Sequence, residues 1–215
     1  VNGLSRNHFM GDKLTNNDFL DCFNKNDFII LTETWRNKSF SLPDFEIISN
    51  PATKYQSKTQ GRCSGGVVFG FKTCFKREVK LILTRKNYIW CKLDRKLFNI
   101  ERDVFICAVY YIPPRDSPYF DADVFVEHET DIALFSSEGF VLIAGDLNSR
   151  TGCGLDYYDE ETSTFENDAF TLPNYAIKTR KNFDNIINEH GKGLLEICKS
   201  CDLRILNGRT KGDSF

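Results

Sequence analysis

The chain has 215 residues, 41% hydrophobic and 27% charged, with a formal net charge of -2. That is enough chain for one sizeable core and an ordinary soluble composition. It excludes binding of a polyanion through bulk charge, and no apolar run approaches the roughly 18 residues of a membrane span.

The chain opens on Val1-Asn2-Gly-Leu without an initiator methionine and stops at Lys211-Gly-Asp-Ser-Phe215 without a closing element, which reads as a fragment. Asp27 to Trp35 reads as a buried strand with polar residues, Glu33 among them, at its exit. Gly61-Arg-Cys-Ser-Gly65-Gly66 lacks the Gly-Lys-Ser/Thr ending of a phosphate-cradling loop, so it reads as a loop and a close strand crossing. Strands over Gly65 to Phe71, Val79 to Thr84, Tyr88 to Asp94 and Val104 to Tyr111 follow at hairpin intervals. Pro113 and Pro114 close the last, because proline cannot donate to a ladder. Lys72 to Arg102 carries ten Lys/Arg against three Asp/Glu, whereas Cys153 to Phe170 carries six acids and no base. The basic stretch is either a face for a polyanion or an alternating solvated strand surface. Trp35 and Trp90 read as core or strand-face aromatics.

Asp121 to Glu138 has helical spacing, with Val124, Ile132 and Phe135 as its buried stripe. Phe140 to Ala144 is an apolar run closed by Gly145, which predicts a strand covered on both faces. Asp146 and Asn148 follow it, two residues apart. The stretch from Tyr157 to Pro173 reads as a surface loop. Lys181 to Cys201 reads as a helix through Ile186, Leu194, Ile197 and Cys198, and Leu203 to Leu206 as one more strand. No repeat, low-complexity tract or linker divides the sequence, so residues 1–215 read as a single α/β (α+β) domain.

Polar groups at three strand ends are the candidate chemistry: Glu33, Tyr111, and Asp146 with Asn148. A carboxylate can take a proton or hold a hard cation, and an amide can orient a phosphate oxygen. Oxygen-only ligands favour magnesium or manganese over zinc. His8, His128 and His190 read as solvated or packing residues, which leaves no histidine base in evidence. Eight scattered cysteines and no visible leader point to free thiols in a reducing compartment. The lone Cys198-x-x-Cys201 has no second zinc-spaced pair and reads as packing.

Taken in order, these segments resemble the endonuclease/exonuclease/phosphatase superfamily. Val1-Asn2-Gly-Leu is similar to the end of its opening motif, Thr32-Glu33-Thr34-Trp35 to its Glu-Thr signature, and Gly65-Gly-Val-Val to its Gly-Gly strand. Tyr111-Ile-Pro113 and Gly145-Asp146-Leu-Asn148 resemble its Tyr-x-Pro and Gly-Asp-x-Asn motifs. Within the superfamily, Leu93-Asp94 to Leu97-Phe98, Cys107 to Pro114, Gly145 to Gly152 and Leu206 to Asp213 resemble the endonuclease domain of non-LTR (LINE-type) retrotransposons.

The resemblance implies a four-layer α/β sandwich, two packed mixed β-sheets flanked by helices, here incomplete at the C-terminal end. It implies Mg2+ (or Mn2+) on Glu33 with Asn2 in support, and Tyr111 donating to the phosphate. Asp146 would then position or deprotonate water, Asn148 would hold phosphate oxygens, and Arg150 would contact substrate. The implied reaction is nicking of DNA to leave a 3′-hydroxyl that primes reverse transcription. The implied setting is the nucleus, with a reverse transcriptase domain following in the same polyprotein. The family's closing Ser-Asp-His motif has no counterpart before Phe215, so weak activity and exposed sheet edges are expected. An inositol-phosphate or lipid phosphatase of the same superfamily, or a non-catalytic remnant, are the alternatives.

Overall fold

The structure, a computed structural model, describes residues 4, 13–54, 63–112, 121, 123–158 and 180–210. Asn2, His8, the Pro113-Pro114 pair, residues 61–62 of the glycine-rich stretch, residues 159–173 of the stretch expected to be a surface loop and residues 211–215 lie outside them. The chain divides into two compact units, Val1–Asn148 and Ser149–Phe215.

In the first unit, strands β1 (Phe28–Thr32), β2 (Phe45–Asn50) and β3 (Val67–Lys72) make an antiparallel sheet in the order β1-β3-β2. Strands β4 (Val79–Thr84), β5 (Tyr88–Leu93), β6 (Val104–Tyr110) and β7 (Phe140–Asp146) make a second sheet in chain order. Its first three strands are antiparallel neighbours. β7 runs parallel to β6, because helix α2 (Val124–Glu138) carries the chain back to the starting edge.

Strand alternation sets the layers. Val67, Phe69 and Phe71 of the first sheet pack with Ile89, Cys91, Leu93, Ile106, Ala108 and Tyr110 of the second. The opposite parity of the second sheet meets α2: Trp90 and Phe105 both lie against Phe135, with ring centroids 4.8 and 4.9 Å apart. On the far side of the first sheet, Ile29 and Phe45 pack with Leu20 and Phe23 of helix α1 (Asn17–Asn24). The layers therefore run helix, sheet, sheet, helix. Each buried side chain of Phe or Leu size contributes about 1.5–3 kcal/mol.

β7 corrects one expectation. By register Phe140 and Leu142 share the inter-sheet face with Val104 and Ile106, yet they are 43% and 42% exposed. Among the described residues β7 is the outer strand, and the three-stranded sheet leaves this part of it open. Among the described residues the start of the apolar run is half-buried on one face, through Val141 and Ile143, and exposed on the other.

In the second unit, helix α3 (Glu189–Ser200) begins only at Asn188, whose side chain accepts from Gly191 N at 2.7 Å. Residues 181–188 are thus outside the helix, Ile186 is 52% exposed, and Leu195 rather than Leu194 is buried with Ile197 and Cys198. Residues 203–206 form no strand either, because the Ile205 amide donates to Asp156 Oδ2 at 2.7 Å rather than to a ladder. Burial would raise Asp156, but a two-pronged bond from Arg209 (2.6 and 2.8 Å) and the Ile205 amide hold its carboxyl below the usual range.

Candidate functional site

The sharp exit of β1 positions Glu33. Its φ of 52° turns the chain so that Thr34 N and Trp35 N donate to the carbonyls of Gly66 and Gly65, at 3.3 and 3.0 Å. Gly66 is obligatory there: its φ is +92°, and a Cβ would come 2.2 Å from Thr34 Oγ1. The Glu-Thr and Gly-Gly segments, far apart in sequence, therefore interlock as one corner. The Glu33 carboxylate accepts a hydrogen bond from the Tyr110 hydroxyl at 2.7 Å.

Tyr110 ends β6 and pairs across the ladder with Asp146, so the two side chains emerge on the same face. The Asp146 Oδ1 atom accepts from Asn148 N at 2.9 Å, a tight turn that brings the Asn148 amide back over the strand end. Asn148 Nδ2 then donates to the Tyr111 carbonyl at 2.7 Å, and Tyr111 N donates to the Asp146 carbonyl at 2.9 Å. Burial, then the bond to Glu33 and the charges of Glu33 and Asp146, raise the Tyr110 hydroxyl above its ordinary range, with the Asn148 side chain acting against them. The phenol is thus a proton-bearing donor at neutral pH and cannot serve as a base.

Glu33, Asp146 and Asn148 consequently meet around Tyr110. The sequence reading gives the phosphate-donor role to Tyr111, but the structure turns that hydroxyl to the other side of the sheet, where it hydrogen-bonds His128 Nδ1. Side chains alternate along a strand, so adjacent tyrosines cannot both reach Glu33. Asn2 lies outside the described residues. Arg150 belongs to the second unit, where its guanidinium is held by both oxygens of Asp184 at 2.6 and 2.9 Å.

Among the described residues no group of three or more His, Cys, Asp or Glu could hold a metal ion. Glu33 and Asp146 are nonetheless hard oxygen donors beside one phenol, and a magnesium ion that keeps most of its waters needs only one or two carboxylates. The residues present fit such an ion. All eight cysteines are free thiols. Burial pushes Cys91 and Cys198 up to about 12, which makes them inert packing groups.

No protein-family model matches the chain, and no curated protein matches it in sequence. Among solved structures it is similar to the AP endonuclease LMAP from Leishmania major, with a TM-score of 0.50 at 15% identity. The chain has an AP-endonuclease-like fold. The likeness covers 70% of this chain and 54% of the Leishmania enzyme, about half its length. At that identity the fold is what the two share, and it is the two-sheet sandwich that the motif order implies.

Proposed function

We propose that this chain hydrolyses a phosphodiester bond in DNA, nicking one strand. The observation that carries the reading is the meeting of two carboxylates, a protonated phenol and an amide at the ends of β1, β6 and β7. These strand ends lie on one edge of a sandwich whose fold is similar to that of an AP endonuclease, which supports a phosphodiester substrate. Glu33, with Asp146 beside it, would hold Mg2+ (or Mn2+), which when bound would screen the phosphate and the leaving oxygen. Asp146 keeps Oδ1 on the Asn148 amide, leaving Oδ2 to orient a water and take its proton. Tyr110, in the position the motif gives to Tyr111, shares its proton with Glu33 and can redirect it to a phosphate oxygen. Asn148 stands next to it as a second donor for the charge that builds there.

The order and spacing of the motifs support the narrower reading, a LINE-type element's endonuclease that leaves a 3′-hydroxyl for reverse transcription. In that setting the chain works in the nucleus, with a reverse transcriptase domain following it. Incubation of the chain, in excess over supercoiled plasmid, with Mg2+ or Mn2+ tests the chemistry. Nicked circles are expected, and Asp146→Ala should reduce their rate on the order of 100-fold or more while the circular dichroism spectrum is kept. Phosphate release from inositol phosphates without nicking would replace the nuclease by a phosphatase. Neither activity would leave a non-catalytic remnant.

A further inference from the structure

The buried stripe of α2 contains two polar residues that apolar packing does not need, His128 and Asp131, 1% and 4% exposed. Asp131 is fully engaged: Arg85 grips both its oxygens, at 3.2 and 3.0 Å, and the Tyr88 hydroxyl donates to Oδ2 at 2.9 Å. His128 stacks on Tyr88 with ring centroids 4.4 Å apart and meets the edges of Trp90 and Tyr111 at 5.7 Å each. Its Nδ1 shares a hydrogen bond with the Tyr111 hydroxyl, while its Nε2 is buried without a partner among the described residues. A phenylalanine would fill the slot without that unmatched nitrogen, so the imidazole is retained at a cost.

What the bond holds is the informative part. Tyr111 N donates to the Asp146 carbonyl, and Tyr111 O accepts from Asn148 Nδ2, so the main chain of this one residue grips both site residues. Its side chain, on the opposite face, is pinned by α2. We propose that His128 is a positioning residue: by fixing Tyr111 from behind the sheet, it sets the orientation of the Asn148 amide and the Asp146 turn. The effect on rate rests on the nuclease reading above; the effect on geometry does not.

Four variants of the full chain test this, His128→Phe, His128→Asn, Tyr111→Phe and the pair His128→Phe with Tyr111→Phe. Two readouts are needed. The first is the side-chain amide resonances of Asn148, assigned by their disappearance in Asn148→Asp. The second is nicking, resolved into kcat and KM. Tyr111→Phe removes one oxygen and should shift or broaden the Asn148 resonances; His128→Phe should do the same. The double variant should be no worse than either single one. His128→Asn, which keeps an acceptor near the Nδ1 position, should restore the native resonances in part. In nicking, kcat should fall about 10- to 100-fold with KM nearly unchanged, as expected when an aligned group is displaced. Unaltered Asn148 resonances in Tyr111→Phe or in a folded His128→Phe would overturn the proposal, as would additive losses in the double variant. If the unmodified chain does not nick, the nuclease reading fails and the resonances alone decide the positioning role. Should His128→Phe not fold, Tyr111→Phe carries the decision.

Discussion

Removal of the Asp131 carboxylate gives the sharpest test of how α2 is fastened to the second sheet. Asp131→Ala deletes the acceptor for Arg85 and for Tyr88. The Arg85 side chain is 37% exposed, so water re-solvates the guanidinium and its loss amounts to about 1 kcal/mol. Tyr88 is 0% exposed, so its hydroxyl is stranded, which costs about 1–3 kcal/mol. The total is about 3 kcal/mol. Urea unfolding followed through Trp90, buried in the same layer, reads it. The decisive step is Tyr88→Phe in the Asp131→Ala background, which removes the stranded hydroxyl. It should recover about 1–2 kcal/mol, although in the native chain the same substitution destabilises. A loss in Asp131→Ala below about 1 kcal/mol, or no recovery in the double variant, would refute the reasoning that a single buried acceptor satisfies both donors of the second sheet.

Two further outcomes follow from the same structure. Burial lowers His128 from 6.5 to about 4, with the Asp131 carboxylate opposing and Tyr88, Trp90 and Tyr111 enclosing the ring. The unfolded chain therefore takes up this proton first, and stability should drop by roughly 3 kcal/mol as pH falls from 6.5 to 4, a drop that His128→Phe should flatten; equal slopes in both proteins would rule it out. Gly145→Ala puts a Cβ 2.0 Å from the Val109 carbonyl at a φ of +137° and should cost about 3 kcal/mol, a Tm lower by roughly 6–12 °C; a Tm within about 2 °C of the native chain would mean that β7 leaves β6 differently.

The second sheet was legible because its strands carry continuous apolar runs between clear turn residues: β4 is found at the predicted Val79–Thr84, and β5 and β6 end one residue early. The helix α1 was not, although Asn16 accepts from Phe19 N at 3.0 Å as an N-cap and Leu20 and Phe23 lie on one face. Its eight residues are too short and too polar for periodicity to stand out. β2, with Phe45, Ile47 and the half-buried Ile48 interrupted by Glu46, was missed for a similar reason. In the second unit the apolar residues of 203–206 promised a strand, but a buried carboxylate competes for the backbone donor. Periodicity does not record that competition.

The site shows a different kind of blindness. That Glu33, Asp146 and Asn148 meet was readable because polar residues at the exit of an apolar strand gather at its mouth. Which of two consecutive tyrosines shares that mouth is a question of strand parity, and parity is readable only when one face of a strand is polar. β6 is apolar on both: Ile106, Ala108 and Tyr110 face the other sheet, while Phe105 and Tyr111 meet rings carried by α2. The motif match selected Tyr111 by its distance from Pro113, a property of the chain. The ladder selected Tyr110 by its pairing with Asp146, a property of the sheet. Where a doubly covered strand runs into a site, only the register of its neighbour can say which residue the site receives, and here that register also gives Tyr111 its separate connection to His128.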